Sequence, residues 1–299
     1  MAKTKNASPF NILVVTAPKA ISYIQQKLLH EENISITHAN LHDITVLLDG
    51  KHITMLCKGK QLTHYDFVWI QSAGMTRDIA YMLSLHLDLL EIPHTHPELE
   101  MTKIVDLFWM ALSRIPIPKT YFCSKAKLLA QLPYIAKELS YPFLIKATVG
   151  WGGNDVHIIH NAADFFNIVP DLADNKKYTC QKFIPNTFDY RILVGNGEVL
   201  SGEKRIRKED PFRNNASLGA EEVFLDLNVI PDAVKKIAIN AAEAFELSWA
   251  GIDIVTDAKT GKHYVLEVNR RPGLTKKSTE TLAAKTFLKG IRDEFINRS

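Results

Sequence analysis

Gly251-Ile252-Asp253-Ile254-Val255, followed after a polar gap by Tyr264-Val265-Leu266-Glu267-Val268-Asn269, is the pair of stretches on which the fold turns. Both are β-branched or apolar runs bounded by turn residues, so both read as strands. The gap, Asp257-Ala258-Lys259-Thr260-Gly261, supplies the turn of a hairpin. A turn centred on Thr260 sets Asp253 opposite Glu267. Alternation puts Glu267 and Asn269 on one face and turns Leu266 and Val268 to the other. Two carboxylates and an amide oxygen then share a patch. Like charges directly opposite are destabilising unless a cation lies between them. Three hard oxygen donors suit magnesium held together with nucleotide phosphates. Two carboxylates alone would read as a solvated acidic face. The apolar alternation and the exit Arg270-Arg271-Pro272-Gly273 favour the metal.

Upstream, Pro231 to Leu247 carries Val234, Ile237, Ala238, Ala241 and Phe245 on one stripe and predicts a helix leading into the hairpin. Thr279 to Ile296 predicts a closing helix. Asp189 to Val194 and Glu198 to Lys204 flank Gly195-Asn196-Gly197. A two-residue turn at Asn196-Gly197 sets Asp189 opposite Lys204, with Asp189 and Arg191 on one face. Lys204-Arg205-Ile206-Arg207-Lys208 and Arg213 form a cationic run, which by itself reads as a solvated face. Asn214, Asn215 and Gly219 follow in a segment without periodicity, a composition suited to stabilising anions. Tyr178 to Pro185 is a strand running into a linker, of the kind against which nucleotide bases lie.

Further upstream, Tyr141-Pro142 launches the strand Phe143-Leu144-Ile145-Lys146-Ala147. Gly150-Trp151-Gly152-Gly153-Asn154 follows, then a strand from Val156 to Ile159. Glycines between strands let backbone N–H groups close over phosphate oxygens, and a lysine beside them adds a point charge. Taken alone, this reads as an ordinary hairpin loop with a surface lysine. Leu99 to Ser113 predicts a helix carrying Lys103. Ser124 is placed to cap the next helix, which Pro133 is expected to break or restart.

The first 95 or so residues alternate strands with helices. Strands are expected at Asn11–Thr16, Ile34–Thr37 and Asp66–Ile70, helices near Ala20–His30 and at Ile79–Leu90, and a hairpin around Asp49-Gly50. Thr16-Ala17-Pro18-Lys19 is not a dinucleotide fingerprint, so this part is expected to bind substrate or serve as a platform.

At 299 residues the chain has room for more than one domain. Its 46% apolar and 23% charged residues are ordinary for a globular protein, and a net charge of +3 does not call for nucleic acid. Cys57, Cys123 and Cys180 are widely spaced and odd in number. They suggest neither a metal spacing nor a disulfide framework, and a cytoplasmic location is expected. No apolar run approaches the roughly 18 residues of a membrane span, so no membrane partner is expected.

Taken in order, these features resemble the RimK-like branch of the ATP-grasp ligases over about residues 97 to 275. Lys103, Pro118-x-Thr120, Lys146 before the glycine loop, Asp189-x-Arg191, Arg205, Phe212-Arg213-x-Asn215-x-x-x-Gly219, and Asp253, Glu267 and Asn269 all match. The resemblance implies an α/β (α+β) chain with the ATP-grasp fold. It implies an N-terminal Rossmann-like pre-ATP-grasp domain at 1–96 and an ATP-grasp domain at 97–299. The latter would divide into a central subdomain, about 120–185, and a C-terminal subdomain, about 186–299.

The resemblance further implies that Lys103 and Lys146 contact the ATP phosphates, with Gly150, Gly152 and Gly153 folding over them. Gln181, Lys182, Phe183 and Ile184 would hold adenine, with Asp189 a candidate ribose ligand. Asp253, Glu267 and Asn269 would carry Mg2+, with Mn2+ as an alternative ion. Arg205 and Asn215 would stabilise charge as the γ-phosphoryl group moves. The implied reaction joins a carboxylate to an amine, on an amino acid or peptide, through an acyl phosphate. Three departures stand out: Lys182 where the family's hinge carries glutamate, Asp155 at a loop glycine, and Ala220 after Gly219 in place of a second glycine.

Arg207, Lys208, Arg213, Arg270 and Arg271 would favour an anionic carboxylate substrate, glutamate-like or a peptide C-terminus. A small-molecule kinase on the same scaffold and a non-catalytic nucleotide-binding module are the alternatives. The complete metal set weighs against the second. A homodimer or higher homo-oligomer is the expected assembly.

Overall fold

A computed structural model describes residues 9–16, 33–50, 52–71, 77–95, 103–148, 156–206, 220–275 and 278–298. In the first part, β1 (Phe10–Val15), β2 (Ile34–Ala39) and β6 (Phe67–Ile70) form a parallel sheet in the order β2-β1-β6. The central strand and β6 are buried almost throughout, as continuous apolar runs in a parallel sheet require. A second, antiparallel sheet holds β3 (Ile44–Asp49), β4 (His52–Cys57) and β5 (Lys60–Gln61). The expected hairpin is there, with Asp49 paired to His52 and Gly50 at positive φ. Helix α1 (Arg77–Leu89) lays Ala80, Leu83 and Leu87 into the core shared by these two sheets. The helix expected near Ala20–His30 lies outside the described residues.

Helix α2 (Lys103–Leu112) precedes a four-stranded antiparallel sheet, ordered β7-β10-β8-β9. Its strands are β7 (Thr120–Cys123), β8 (Phe143–Ala147), β9 (Val156–Ile159) and β10 (Tyr178–Lys182). Helices α3 (Lys125–Leu139) and α4 (Ala162–Asp171) cover it. Pro133 does not break α3, contrary to expectation. Proline inside a helix costs about 3 kcal/mol. Leu128, Leu132, Ile135 and Leu139, all buried on one stripe against the sheet, outweigh that cost.

The largest sheet is antiparallel, ordered β13-β12-β11-β14-β15. It comprises β11 (Phe188–Gly195), β12 (Glu198–Ile206), β13 (Glu221–Phe224), β14 (Trp249–Thr256) and β15 (His263–Asn269). One face is apolar: Tyr190, Ile192, Val194, Ile252, Ile254, Val265 and Val268 pack on α5 (Asp232–Ala244). The other face carries Asp189, Arg191, Glu203, Arg205, Asp253 and Glu267, as alternation demands.

Helix α6 (Thr279–Arg298) closes the chain. Its Ala283, Ala284, Phe287 and Leu288 pack with Phe10, Ile12, Val14, Phe67 and Trp69 of the parallel sheet and with Leu193 and Trp249 of the large one. The last helix therefore binds the first strands to the sheet that bears the charged face. No helix among the described residues is long and apolar enough to cross a membrane.

Candidate active site

The charged face begins with the β14–β15 hairpin. Asp253 pairs with Glu267 and Gly251 with Asn269, as the sequence predicts. Nearer the turn the pairing shifts by one residue, to Ile254 with Val265 and Thr256 with His263. Leu266 is the extra residue of a β-bulge. Strict alternation therefore fails here: Val265 and Val268, three apart, both enter the α5 core. Leu266 belongs to neither that core nor the alternation, and it stands half-buried beside Glu267. The bulge adds an apolar residue next to the acidic pair, a position the period-two reading assigned to the wrong face. The i, i+3 spacing of Val265 and Val268 was the available signal.

Asp253 is buried, and its Oδ1 accepts no hydrogen bond among the described residues. Burial pushes the Glu267 carboxyl above its ordinary value; the Lys103 ammonium opposes that shift and the Asp253 carboxylate adds to it. A carboxylate oxygen with no hydrogen bond, met only by an arginine nitrogen at 3.6 Å and facing a second acid, is an arrangement a divalent cation relieves. Among the described residues no group of three or more His, Cys, Asp or Glu is arranged to hold a metal ion by itself. The donor set is two carboxylates and the Asn269 amide. A hard cation held by so few protein oxygens keeps positions for phosphate oxygens and water, which fits magnesium bound with a nucleotide.

Two arginines face this pair. Arg205 Nε donates to Asp189 Oδ1 at 2.7 Å, and its Nη2 lies 3.0 Å from Asp253 Oδ2. Burial alone would lower the Arg205 pKa, but the two carboxylates raise it further, so its charge is fixed. Arg191 reaches Asp253 at 3.6 Å and Glu280 at 3.8 Å. Asp189 pairs across the sheet with Arg205, not with Lys204 as expected. A bulge between Leu193 and Val194 moves the register by one. Lys204 instead falls opposite Tyr190 and lies over the Phe188 ring, 4.5 Å from its centroid. The Asp189 carboxylate, expected as a ribose ligand, is committed to Arg205.

Lys146 Nζ donates to Gln181 Oε1 at 2.6 Å, and Gln181 Nε2 donates to Thr120 Oγ1 at 2.9 Å. Gln181, expected at adenine, thus orients Lys146 through its side chain. Burial first and the neighbouring Lys103 second lower the Lys146 pKa to about 8, with Glu267 opposing them. Two ammonium groups repelling each other beside two carboxylates describe a gap that fits a bound polyanion with its metal. Helix α2 presents Lys103, and its first backbone N–H reaches Thr148 O at 3.3 Å, just before the glycine loop.

The same helix is gripped by Arg270. Its Nη2 lies 2.9 Å from Asp106 Oδ1, and its guanidinium stacks 4.9 Å from the Phe245 ring centroid. Arg270, expected among the substrate-binding cations, has a structural role in this arrangement. It was missed because nothing local in the sequence links it to Asp106.

In the hinge, Lys182 is exposed, with its N–H on Lys119 O at 2.8 Å, while Phe183 is half-buried and Ile184 buried. Gly150, Gly152, Gly153, Asp155, Arg207, Lys208, Arg213, Asn215 and Gly219 lie outside the described residues. At the far end of the site, Gln71, at the C-terminal end of β6, donates to Pro272 O at 2.6 Å. The parallel sheet thereby touches the loop that leaves the β14–β15 hairpin. Ligands of open α/β sheets sit at such strand ends.

The family model describing a RimK-like ATP-grasp domain matches residues 102–291. The human N-acetylaspartylglutamate synthase A is 22% identical over 252 residues, covering 81% of this chain and 63% of that protein. A probable alpha-L-glutamate ligase of Halorhodospira halophila is 31% identical over 161 residues, 53% of this chain and 51% of that protein. The chain thus spans less than two thirds of the length of these relatives. Among solved structures, the ATP-grasp ligase PsnB complexed with minimal precursor, Mg and ADP superposes with a TM-score of 0.70 at 16% identity, over 94% of this chain and 98% of that one. The D-alanine–D-alanine ligase of Bacillus anthracis complexed with ATP gives 0.63 at 16% identity, over 96% and 100%. The ATP-grasp architecture expected from the sequence is the architecture found.

Proposed function

The chain belongs to the RimK-like ATP-grasp family, and from that premise we propose that it is an ATP-dependent carboxylate–amine ligase, ADP-forming, acting on amino-acid or peptide substrates. One observation carries the proposal: Asp253, Glu267, Arg191 and Arg205 on one face of the large sheet, Lys146 on β8 of the four-stranded sheet and Lys103 on α2 converge closely enough to act on one another electrostatically. Acids placed to hold a metal and cations placed to hold phosphates are the parts that phosphoryl transfer needs. A pure binding module needs no such complete set.

In this reading Asp253, Glu267 and Asn269 hold Mg2+, which neutralises charge on the ATP phosphates. Lys103 and Lys146 grip those phosphates, and Gln181 keeps the Lys146 ammonium aimed at them. The hinge from Lys182 to Ile184 and the bulged Leu266 form walls for adenine. The substrate carboxylate attacks the γ-phosphorus, giving an acyl phosphate and ADP. Arg205, held rigid by Asp189 and Asp253, stabilises the charge that develops. The amine then attacks the acyl carbon, loses a proton and expels phosphate. Positioning and charge neutralisation do the work, and no side-chain nucleophile takes part. We place the N-terminal 1–96 segment as the domain that shapes one substrate pocket, and the protein in the cytoplasm.

The relatives named for glutamate products suggest amino-acid substrates. The test is ADP release with ATP and Mg2+ across pairs of carboxylates and amines, with product mass recorded. A product equal to the two substrates less one water supports ligation. A product heavier by one phosphoryl group would instead make the protein a kinase. Tight nucleotide binding without turnover on any pair would make it a binding module.

A further inference from the structure

The row of side chains that crosses the charged face does not stop at Arg191. Glu203 of β12 pairs with Arg191, which pairs with Asp253, which pairs with Glu267. Glu203 is only 2% exposed, and its Oε2 has no hydrogen-bond partner among the described residues. Glu280 (itself 2% exposed) and Glu222 stand close enough to act on it as like charges. Thr275 holds these two together, its N–H on Glu280 and its Oγ1 3.3 Å from Glu222 Oε2.

The nearby arginines do not balance these acids. Arg205 is engaged by Asp189 and Asp253. Arg191 is divided between Asp253 and Glu280. Burial, Glu280 and Glu222 push the Glu203 carboxyl up to about 8 against the pull of the two arginines. Among the described residues, three carboxylates at one end of this row therefore face two arginines that are each also engaged by other carboxylates.

We propose that Glu203, backed by Glu222 and Glu280, is the subsite for a non-reacting positive group on the amine substrate. The inference rests on the ligase reading and narrows it. The amine is a basic one, a diamine or a lysine-like amino acid, and a dicarboxylic amino acid is repelled. Glu203 sits two strands from Asp253, about 10 Å at ordinary strand spacing. That leaves room for a few methylene groups between the reacting nitrogen, near the metal, and the cation. A buried carboxylate oxygen without a hydrogen-bond partner gains a charge-assisted bond when such a cation arrives, whereas a neutral isostere leaves it unpaired.

The experiment compares lysine, norleucine and glutamate, and separately cadaverine and n-pentylamine, as amines in ADP release with one accepted carboxylate. The wild type is expected to favour lysine over norleucine, and cadaverine over n-pentylamine, by 10-fold or more in kcat/KM. In Glu203→Gln that ratio should collapse towards one through the KM of the basic amine; a merely structural role would lower both members of each pair alike. Glu222→Gln, at a half-buried position, should reduce the ratio in the same direction and serves if Glu203→Gln folds poorly. Equal use of lysine and norleucine by the wild type, a preference for glutamate, or an unchanged ratio in folded Glu203→Gln would overturn the subsite. Absence of an amide product with every amine offered marks a different failure, that of the ligase reading, and takes this inference with it. Thermal shift by cadaverine reads the subsite without turnover: a rise in Tm is expected for the wild type and not for Glu203→Gln, and an equal response of the two overturns it.

Discussion

At the scale of single residues, the identities that matter were legible wherever a charge interrupts an apolar run. Asp253, Glu267 and Lys146 stand in largely apolar strands, so each demanded a reason, whereas Arg205 stands in a cationic run that by itself reads as a solvated face. What those charges touch was not legible. Gln181 gripping Lys146, Asp189 committed to Arg205 and Arg270 reaching Asp106 are contacts between distant segments, which no local pattern encodes. Two predictions belong here. Glu267→Gln is expected to lower turnover about 10²–10³-fold, the scale on which one electrostatic partner of a developing charge acts. Its Tm should hold or rise, since the substitution removes a buried like charge beside Asp253. Steady-state rates at saturating Mg2+ and a melting curve check both halves. The second concerns Lys146. Its folded pKa, about 8, lies below the ordinary 10.5, so between these values the unfolded chain holds a proton that the folded one lacks. Stability of the ligand-free protein should therefore gain from this group as pH rises from about 8 towards 10.5. In the proposed reading Lys146 grips the ATP phosphates as the ammonium form, so affinity should fall above pH 8, with proton uptake on binding measurable by calorimetry in buffers of different ionisation enthalpy.

At the scale of elements, the strands and most helices followed from periodicity and turn chemistry. The errors lie at bulges and at a proline. Each bulge shifts a register by one residue, which period-two reasoning cannot anticipate: one moved Asp189 from Lys204 to Arg205, the other freed Leu266 from the core pattern. Pro133 sits within α3 because the packed stripe around it outweighs a local penalty. The β14–β15 hairpin also depends on a glycine. A Cβ on Gly251 would stand 2.7 Å from Pro272 Cβ, so the loop after Asn269 can lie close only over a bare backbone. Gly251→Ala should cost about 1–3 kcal/mol through this clash. It should also raise the KM for Mg-ATP more than Ala substitution at the exposed turn residue Lys259. Denaturant melts together with nucleotide titration would reveal a neutral effect, which would mean that the loop is free to move.

At the scale of the whole molecule, the fold class and the order of its parts were readable because ATP-grasp features recur in a fixed sequence along the chain. The role of α6 was not readable. A C-terminal helix could have packed anywhere, and only the structure places Phe287 against both Trp69 and Trp249, with ring centroids 5.6 and 4.9 Å away. These three rings tie the parallel sheet to the large one. Phe287→Ala should cost about 3–5 kcal/mol. Because the helix is shared, both parts are expected to lose stability together, in one shifted transition by near-ultraviolet circular dichroism. A variant in which only one part melts early would show the two to be independent. The central claim, that a carboxylate is activated by phosphorylation and then captured by an amine, is tested most directly by isotope transfer. With the carboxylate substrate labelled in both oxygens with ¹⁸O, mass spectrometry of the released phosphate should find one labelled oxygen for each amide formed. Phosphate without label, or label and phosphoryl group retained together in the product, would contradict it.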